Sequence, residues 1–136
     1  MGKALGIDYG TKRTGIAITD VIQIIASGLT TVSTHKLDDF IANLVISDDI
    51  ECFVVGDPKN LDGSNTDSTG HVNGFVNRLQ KTYPSIPVHQ IDERFTSKIA
   101  KQSILASGVK RKGRQNKALV DEVSATIILQ NYLDYK

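Results

Sequence analysis

The chain has 136 residues, 40% of them hydrophobic, which suffices for one globular domain with its own core and argues against a multidomain enzyme. With 16 basic residues against 15 acidic ones, net charge does not announce a nucleic-acid partner, so an affinity of that kind has to arise from local clustering. The single cysteine, Cys52, excludes an internal disulfide, and no apolar run reaches the roughly 18 residues of a membrane span.

The opening "MGKALG" lacks a secretory pattern and has no Ser or Thr at position 6 for myristoylation. A cytoplasmic protein, one domain over residues 1–136 with no membrane partner, is the expectation. Residues 3–8, 13–19 and 28–33 are short, β-rich and separated by Gly-containing turns or loops, which predicts an antiparallel meander of three strands. Leu37, Phe40, Ile41, Leu44 and Val45 then recur at helical spacing, and "ECFVVG", 51–56, suits a buried strand. Val72, Phe75, Val76 and Leu79 mark a second helix, and Pro84 and Pro87 bracket the approach to a fifth strand at 88–91. Two more helices are expected over 96–107 and 118–135. Three meandering strands followed by strand–helix alternation imply one mixed sheet covered by helices, an α/β fold. Residues 57–70 and 109–117 read as loops, because Gly, Asn, Ser and charge replace any apolar period there.

Asp8 stands at the carboxyl end of the first strand, beside a tight turn. Alone it reads as a turn-forming Asp bonded to nearby amides. Asp92 and Glu93 end the fifth strand in the same way, at the edge where open sheets bind ligands, with helix-dipole stabilisation and an Arg94 ion pair as the structural alternative. Asp121 lies among helical neighbours Ala118, Ser124, Ala125 and Ile128, on a face suited to packing on a sheet, where a carboxylate needs a partner. Glu122, read as a first-turn acid, is the weaker candidate.

Carboxylates converging from two strand ends and a helix suit a hard cation such as Mg²⁺. Two ions roughly 3.5–4 Å apart can activate a water and stabilise the leaving oxygen of a phosphodiester without a Ser or Cys nucleophile. His35, His71 and His89 are scattered and read as loop or sheet residues, Cys52 reads as core, and neither a nucleophile elbow nor a Walker loop occurs.

"GIDYGTKRTGIAITD", "VVGDPKNLDG", "DERFTS" and "VDEVSATIILQNYL" resemble, in order and across the whole chain, the four signatures of the YqgF family. These are small bacterial proteins of RNase H-like fold, described as Holliday junction resolvases and associated with 5′-end maturation of pre-16S ribosomal RNA. The resemblance implies strand order 3-2-1-4-5 and a catalytic, metal-binding set of Asp8, Glu93 and Asp121, with Glu93 selected over Asp92 and Mg²⁺ or Mn²⁺ as cofactor. It departs from the family pattern at Asp57, where a leucine is usual. That residue either joins the metal shell or initiates the Pro58 turn, and the turn is preferred.

Lys110, Arg111, Lys112, Arg114 and Lys117 put five positive charges into eight positions, and Lys12 and Arg13 lie beside Asp8. Their proximity to the acids favours phosphate contact over a merely solvated loop. With four Tyr, four Phe and no Trp, recognition of backbone and shape is expected over stacking on bases. The expected activity is endonucleolytic hydrolysis of nucleic-acid phosphodiesters. Pre-rRNA, with ribosomal precursor particles as a partner, is preferred to branched DNA, because no exposed apolar stripe announces the symmetric dimer that junction resolution requires; monomer and homodimer both stay open. Two rivals remain. "DYGTKRTG" also resembles the phosphate hairpin of the actin and sugar-kinase superfamily, although 136 residues provide one lobe only. The other is a non-catalytic RNA-binding assembly factor.

Overall fold

The computed structural model describes residues 2–58, 69–92 and 117–135. Five strands, β1 (Lys3–Asp8), β2 (Arg13–Thr19), β3 (Ala26–Ser33), β4 (Ile50–Asp57) and β5 (Val88–Asp92), form one sheet in the order β3-β2-β1-β4-β5. β1, β2 and β3 pair antiparallel, whereas β4 joins β1 and β5 joins β4 in parallel. Among the described residues three helices accompany it: α1 (Leu37–Ser47), α2 (Thr69–Thr82) and α3 (Lys117–Tyr135). No described helix is long and apolar enough to cross a membrane.

Strand alternation sends two different sets of side chains to the two faces of the sheet. Leu5, Ile7, Ile16, Phe53 and Val55 meet Leu37 and Ile41 of α1 and Val72, Phe75, Val76 and Leu79 of α2 in the larger core. On the opposite face Ala4, Ala17, Cys52 and Val54 meet Ala125, Ile128 and Leu129 of α3. This second face is built from small residues. A Cβ on Gly6 would lie 2.8 Å from the Leu129 Cβ, and one on Gly28 would lie 2.7 Å from Glu122 Oε1. The glycines of β1 and β3 therefore let the helix backbone approach the sheet more closely than side chains would permit.

Several boundaries differ from the sequence-based expectation. β3 starts at Ala26 instead of residue 28, because the Asp20 carboxylate accepts the Ile24 N–H (2.9 Å) and Ile25 N–H (3.3 Å) and closes the turn early, letting Ala26 pair with Thr19. Of the expected loop 57–70, Asp57 ends β4 and Thr69 and Gly70 begin α2, while residues 59–68 lie outside the described residues. Lys117, expected in a loop, opens α3. His71 is helical and His35 lies in a short 3₁₀ turn, Thr34–Lys36; only His89 belongs to the sheet. Cys52 is buried, as expected.

The β2–β3 hairpin also corrects the expectation that no apolar stripe is exposed. Val21, Ile22, Ile24, Ile25 and Leu29 are 42–62% exposed. Continuous apolar sequence reads as core, but Gln23 takes the inward position in its midst. It is buried with φ 54°, and its amide donates to the Gly2 carbonyl (2.8 Å) and to Glu51. A left-handed backbone at a non-glycine residue is uncommon, and these bonds hold it there.

Candidate active site

The carboxyl ends of the three parallel strands β1, β4 and β5 share one edge of the sheet. Asp8, Asp57 and Asp92 are the last residues of those strands. Period-two alternation separates them. Asp8 follows Ala4 and Gly6 on the α3 face, whereas Asp57 follows Phe53 and Val55, and Asp92 follows Val88, on the α1/α2 face. The alternation thus places Asp57 and Asp8 on opposite faces of the sheet.

Asp121 reaches the same end of the sheet from α3. Asp8 pairs with Gly15 of β2, and the Asp121 carbonyl lies so close over Gly15 that a Cβ there would overlap it. One missing side chain therefore brings the helix turn carrying Asp121 against the strand pair carrying Asp8. Asp121 and Glu122 occupy the second turn of α3, which starts at Lys117, so the helix-dipole account of Glu122 as a first-turn acid does not apply. The Glu122 side chain rests against Gly28 of β3, two strands from Asp8.

Arg13 opens β2 on this face, and its Nε donates to Asp121 Oδ2 at 2.9 Å. The side chains are 40% and 23% exposed, respectively, so the ion pair is anchored on the fold yet open to solvent. Arg13, expected beside Asp8 as a phosphate contact, has Asp121 as its ion-pair partner. Lys12 is exposed in the preceding turn. That turn is braced by Thr34, whose hydroxyl donates to the Gly10 carbonyl (2.6 Å) and lies 3.0 Å from the Thr14 hydroxyl. The Thr34 N–H donates to the Lys12 carbonyl at 3.0 Å. Neither Thr34 nor Gly15 stood out in the sequence: Gly15 belongs to a quoted motif without a chemical group of its own, and Thr34 acts across 24 residues.

Glu93, Lys110, Arg111, Lys112 and Arg114 lie outside the described residues, as does the expected helix over 96–107. Lys117 is described in its backbone only. Among the described residues no group of three metal-ligating side chains occurs. Asp8 and Asp121 supply oxygen donors only, the donor chemistry of a hard cation.

Comparison with known proteins agrees with this architecture. The sequence model of the RuvX family, described as Holliday junction resolvase, matches residues 2–135. A protein of Phocaeicola vulgatus, named "Putative pre-16S rRNA nuclease", is 55% identical over 136 residues, covering 100% of this chain and 98% of its relative. A protein of the same name from Flavobacterium johnsoniae is 51% identical over 136 residues, covering 100% and 99%. Among solved structures, Thermus thermophilus RuvC in complex with a Holliday junction substrate superposes with a TM-score of 0.58 at 15% identity, covering 98% of this chain and 94% of RuvC. At that identity the likeness concerns the fold, which is RNase H-like with the strand order that the sequence motifs implied. A family match spanning nearly the whole chain, joined to relatives at about half identity, makes this protein a member of the RuvX family.

Proposed function

We propose that the protein is a metal-dependent endonuclease that hydrolyses nucleic-acid phosphodiesters in 5′-end processing of pre-16S rRNA, with Asp8, Glu93 and Asp121 holding Mg²⁺ or Mn²⁺. The observation that carries this reading is the approach of α3 over Gly15, which puts Asp121 and Asp8 at one end of one face of the sheet. Glu93 is the third member by family resemblance. The alternation of β5 speaks against Asp92, since Ile91 packs on the α3 side and Asp92 falls on the other. Bound in pairs, such ions activate the attacking water and stabilise the leaving oxygen.

The chain's own residues hold the site and draw the substrate. Asp8 is fixed by strand pairing, Asp121 by helix packing, and the turn bearing Lys12 and Arg13 by Thr34. Lys12 and Arg13 offer positive charge at the rim for backbone phosphates, with the basic residues 110–117 as a second source in the sequence. Pre-rRNA is preferred as substrate because relatives at 55% and 51% identity carry the pre-16S rRNA nuclease name. Branched DNA is the second reading, favoured by the description of the family model and by the fold shared with RuvC.

The test is metal-dependent cleavage of structured pre-16S rRNA fragments and of four-way DNA junctions, with Asp8→Asn as control. Replacing the anion by a near-isosteric amide removes a ligand charge without changing the strand. The variant should lose cleavage while keeping its fold and its nucleic-acid affinity. Cleavage at the parent rate would make Asp8 a turn residue only, and preferential cutting of the junction would move the substrate from RNA to DNA.

A further inference from the structure

The Arg13–Asp121 contact joins the first hairpin to the last helix across 108 residues of sequence. A guanidinium donating to a carboxylate oxygen stabilises the anion and fixes its rotamer. The same group would oppose a cation at that carboxylate, because it engages one oxygen and adds positive charge beside it. A phosphate reverses the balance. It offers the guanidinium a bidentate partner, and its negative charge offsets both cations. Arg13 is suited to such an exchange, since the Nε contact uses one of its five N–H donors and the side chain is 40% exposed. Its backbone is held meanwhile by pairing with Ser33 and by the Thr34 bond to the neighbouring Lys12 carbonyl.

We infer that Arg13 is a positioning residue that couples metal loading to nucleic-acid binding: it holds Asp121 and disfavours the cation in the substrate-free protein, then passes to a backbone phosphate and so strengthens cation binding. The inference rests on the proposed metal-binding role of Asp121 and on nucleic acid as the substrate. Linkage makes the coupling reciprocal, so the cation tightens nucleic-acid binding by the same factor. Metal would accordingly load preferentially when substrate is in place.

The experiment is calorimetric titration of Mn²⁺ into the full chain, alone and with a cleavage-resistant 2′-O-methyl RNA hairpin, for the parent, Arg13→Gln, Arg13→Lys and Asp121→Asn, with circular dichroism to verify folding. In the parent, the hairpin should tighten Mn²⁺ binding about fivefold or more, within the usual range of coupling. Arg13→Gln should bind Mn²⁺ alone about fivefold more tightly than the parent and lose most of the enhancement; Arg13→Lys, which keeps the charge without the planar fork, should fall between. Parent binding of Mn²⁺ with Arg13→Gln binding no tighter would overturn this inference and leave the metal-centre reading intact. A parent that binds no Mn²⁺, or Asp121→Asn binding as well as the parent, would overturn the metal role of Asp121 and this inference with it.

Discussion

The two faces of the sheet are packed on opposite principles. The α1/α2 face is filled with Phe53, Phe75, Leu5, Ile7 and Ile16, all without solvent exposure. The α3 face is lined at its contact with the helix by Gly6, Gly15, Gly28, Ala4 and Ala17. Large side chains remove much apolar surface from water and hold their helices at a distance set by side-chain length. Small ones bury less but bring helix backbone against strand backbone, where a displacement is directly a displacement of Asp121. One face thus mainly supplies stability and the other mainly supplies precision. Substitutions can separate the two.

The largest loss of stability should follow Phe53→Ala. Phe53 is fully buried and its ring centroid lies 5.6 Å from that of Tyr83; truncation of such a ring costs about 3–5 kcal/mol. Denaturant titration should register that loss, whereas Mn²⁺ affinity per folded molecule should stay near that of the parent. A variant that stays folded but no longer binds Mn²⁺ as the parent does would break the division between the faces.

Gly15→Ala adds one methyl group on the other face and should show the reverse balance. Overpacking costs about 1–3 kcal/mol, but the added Cβ collides with the Asp121 carbonyl, so cleavage and Mn²⁺ binding should fall further than the stability loss accounts for. Parent-level cleavage by the folded variant would show that close approach of α3 is not needed.

Thr34→Val should have a smaller effect. It keeps the shape but removes the hydroxyl bonded to the Gly10 carbonyl, a loss of about 1–2 kcal/mol for a partly buried acceptor. Amide chemical shifts should change around Gly10, Lys12 and Arg13 and remain constant across α2. Changes spread evenly over both faces would deny the turn its local role.

The smallest effect is a dependence on alkaline pH. On the α3 face, burial, then the Cys52 contact, push the Tyr132 hydroxyl up to about 12. On the other face Tyr83 is raised by burial and by Asp38. Because folding favours the neutral phenol, this contribution is fully present below the unfolded value near 10 and is lost as pH rises towards 12. Ultraviolet titration of Tyr132→Phe against the parent should remove a tyrosine step at about pH 12. Survival of that step would assign it to another residue.

Much of this organisation is legible in the chain itself. Apolar alternation and helical spacing locate all five strands and the three described helices, because both signals arise between residues a few positions apart. The same local reading selects Asp8, at the end of a strand beside a turn, and Asp121, on an apolar helical face. Four motifs in order identify the family, an inference that the match over residues 2–135 bears out.

The remainder depends on contacts between residues remote in sequence. Gly15 has no local mark of importance until α3 is laid over it, and Arg13 has no reason to choose Asp121 over Asp8 until strand pairing and helix packing fix their separation. The hairpin exposes "VIQII" because the turn geometry of Asp20 and Gln23 directs its aliphatic side chains outward, a relation no local pattern announces. Asp57 and Asp92 share an edge with Asp8, yet alternation counted along their own strands assigns them the opposite face. Short-range periodicity and motif order encode the elements and the family, and they mark Asp8 and Asp121 as candidate acids. Tertiary structure alone decided which acid meets which base and which glycine admits the helix, because those relations are distances between chain segments that no local pattern specifies.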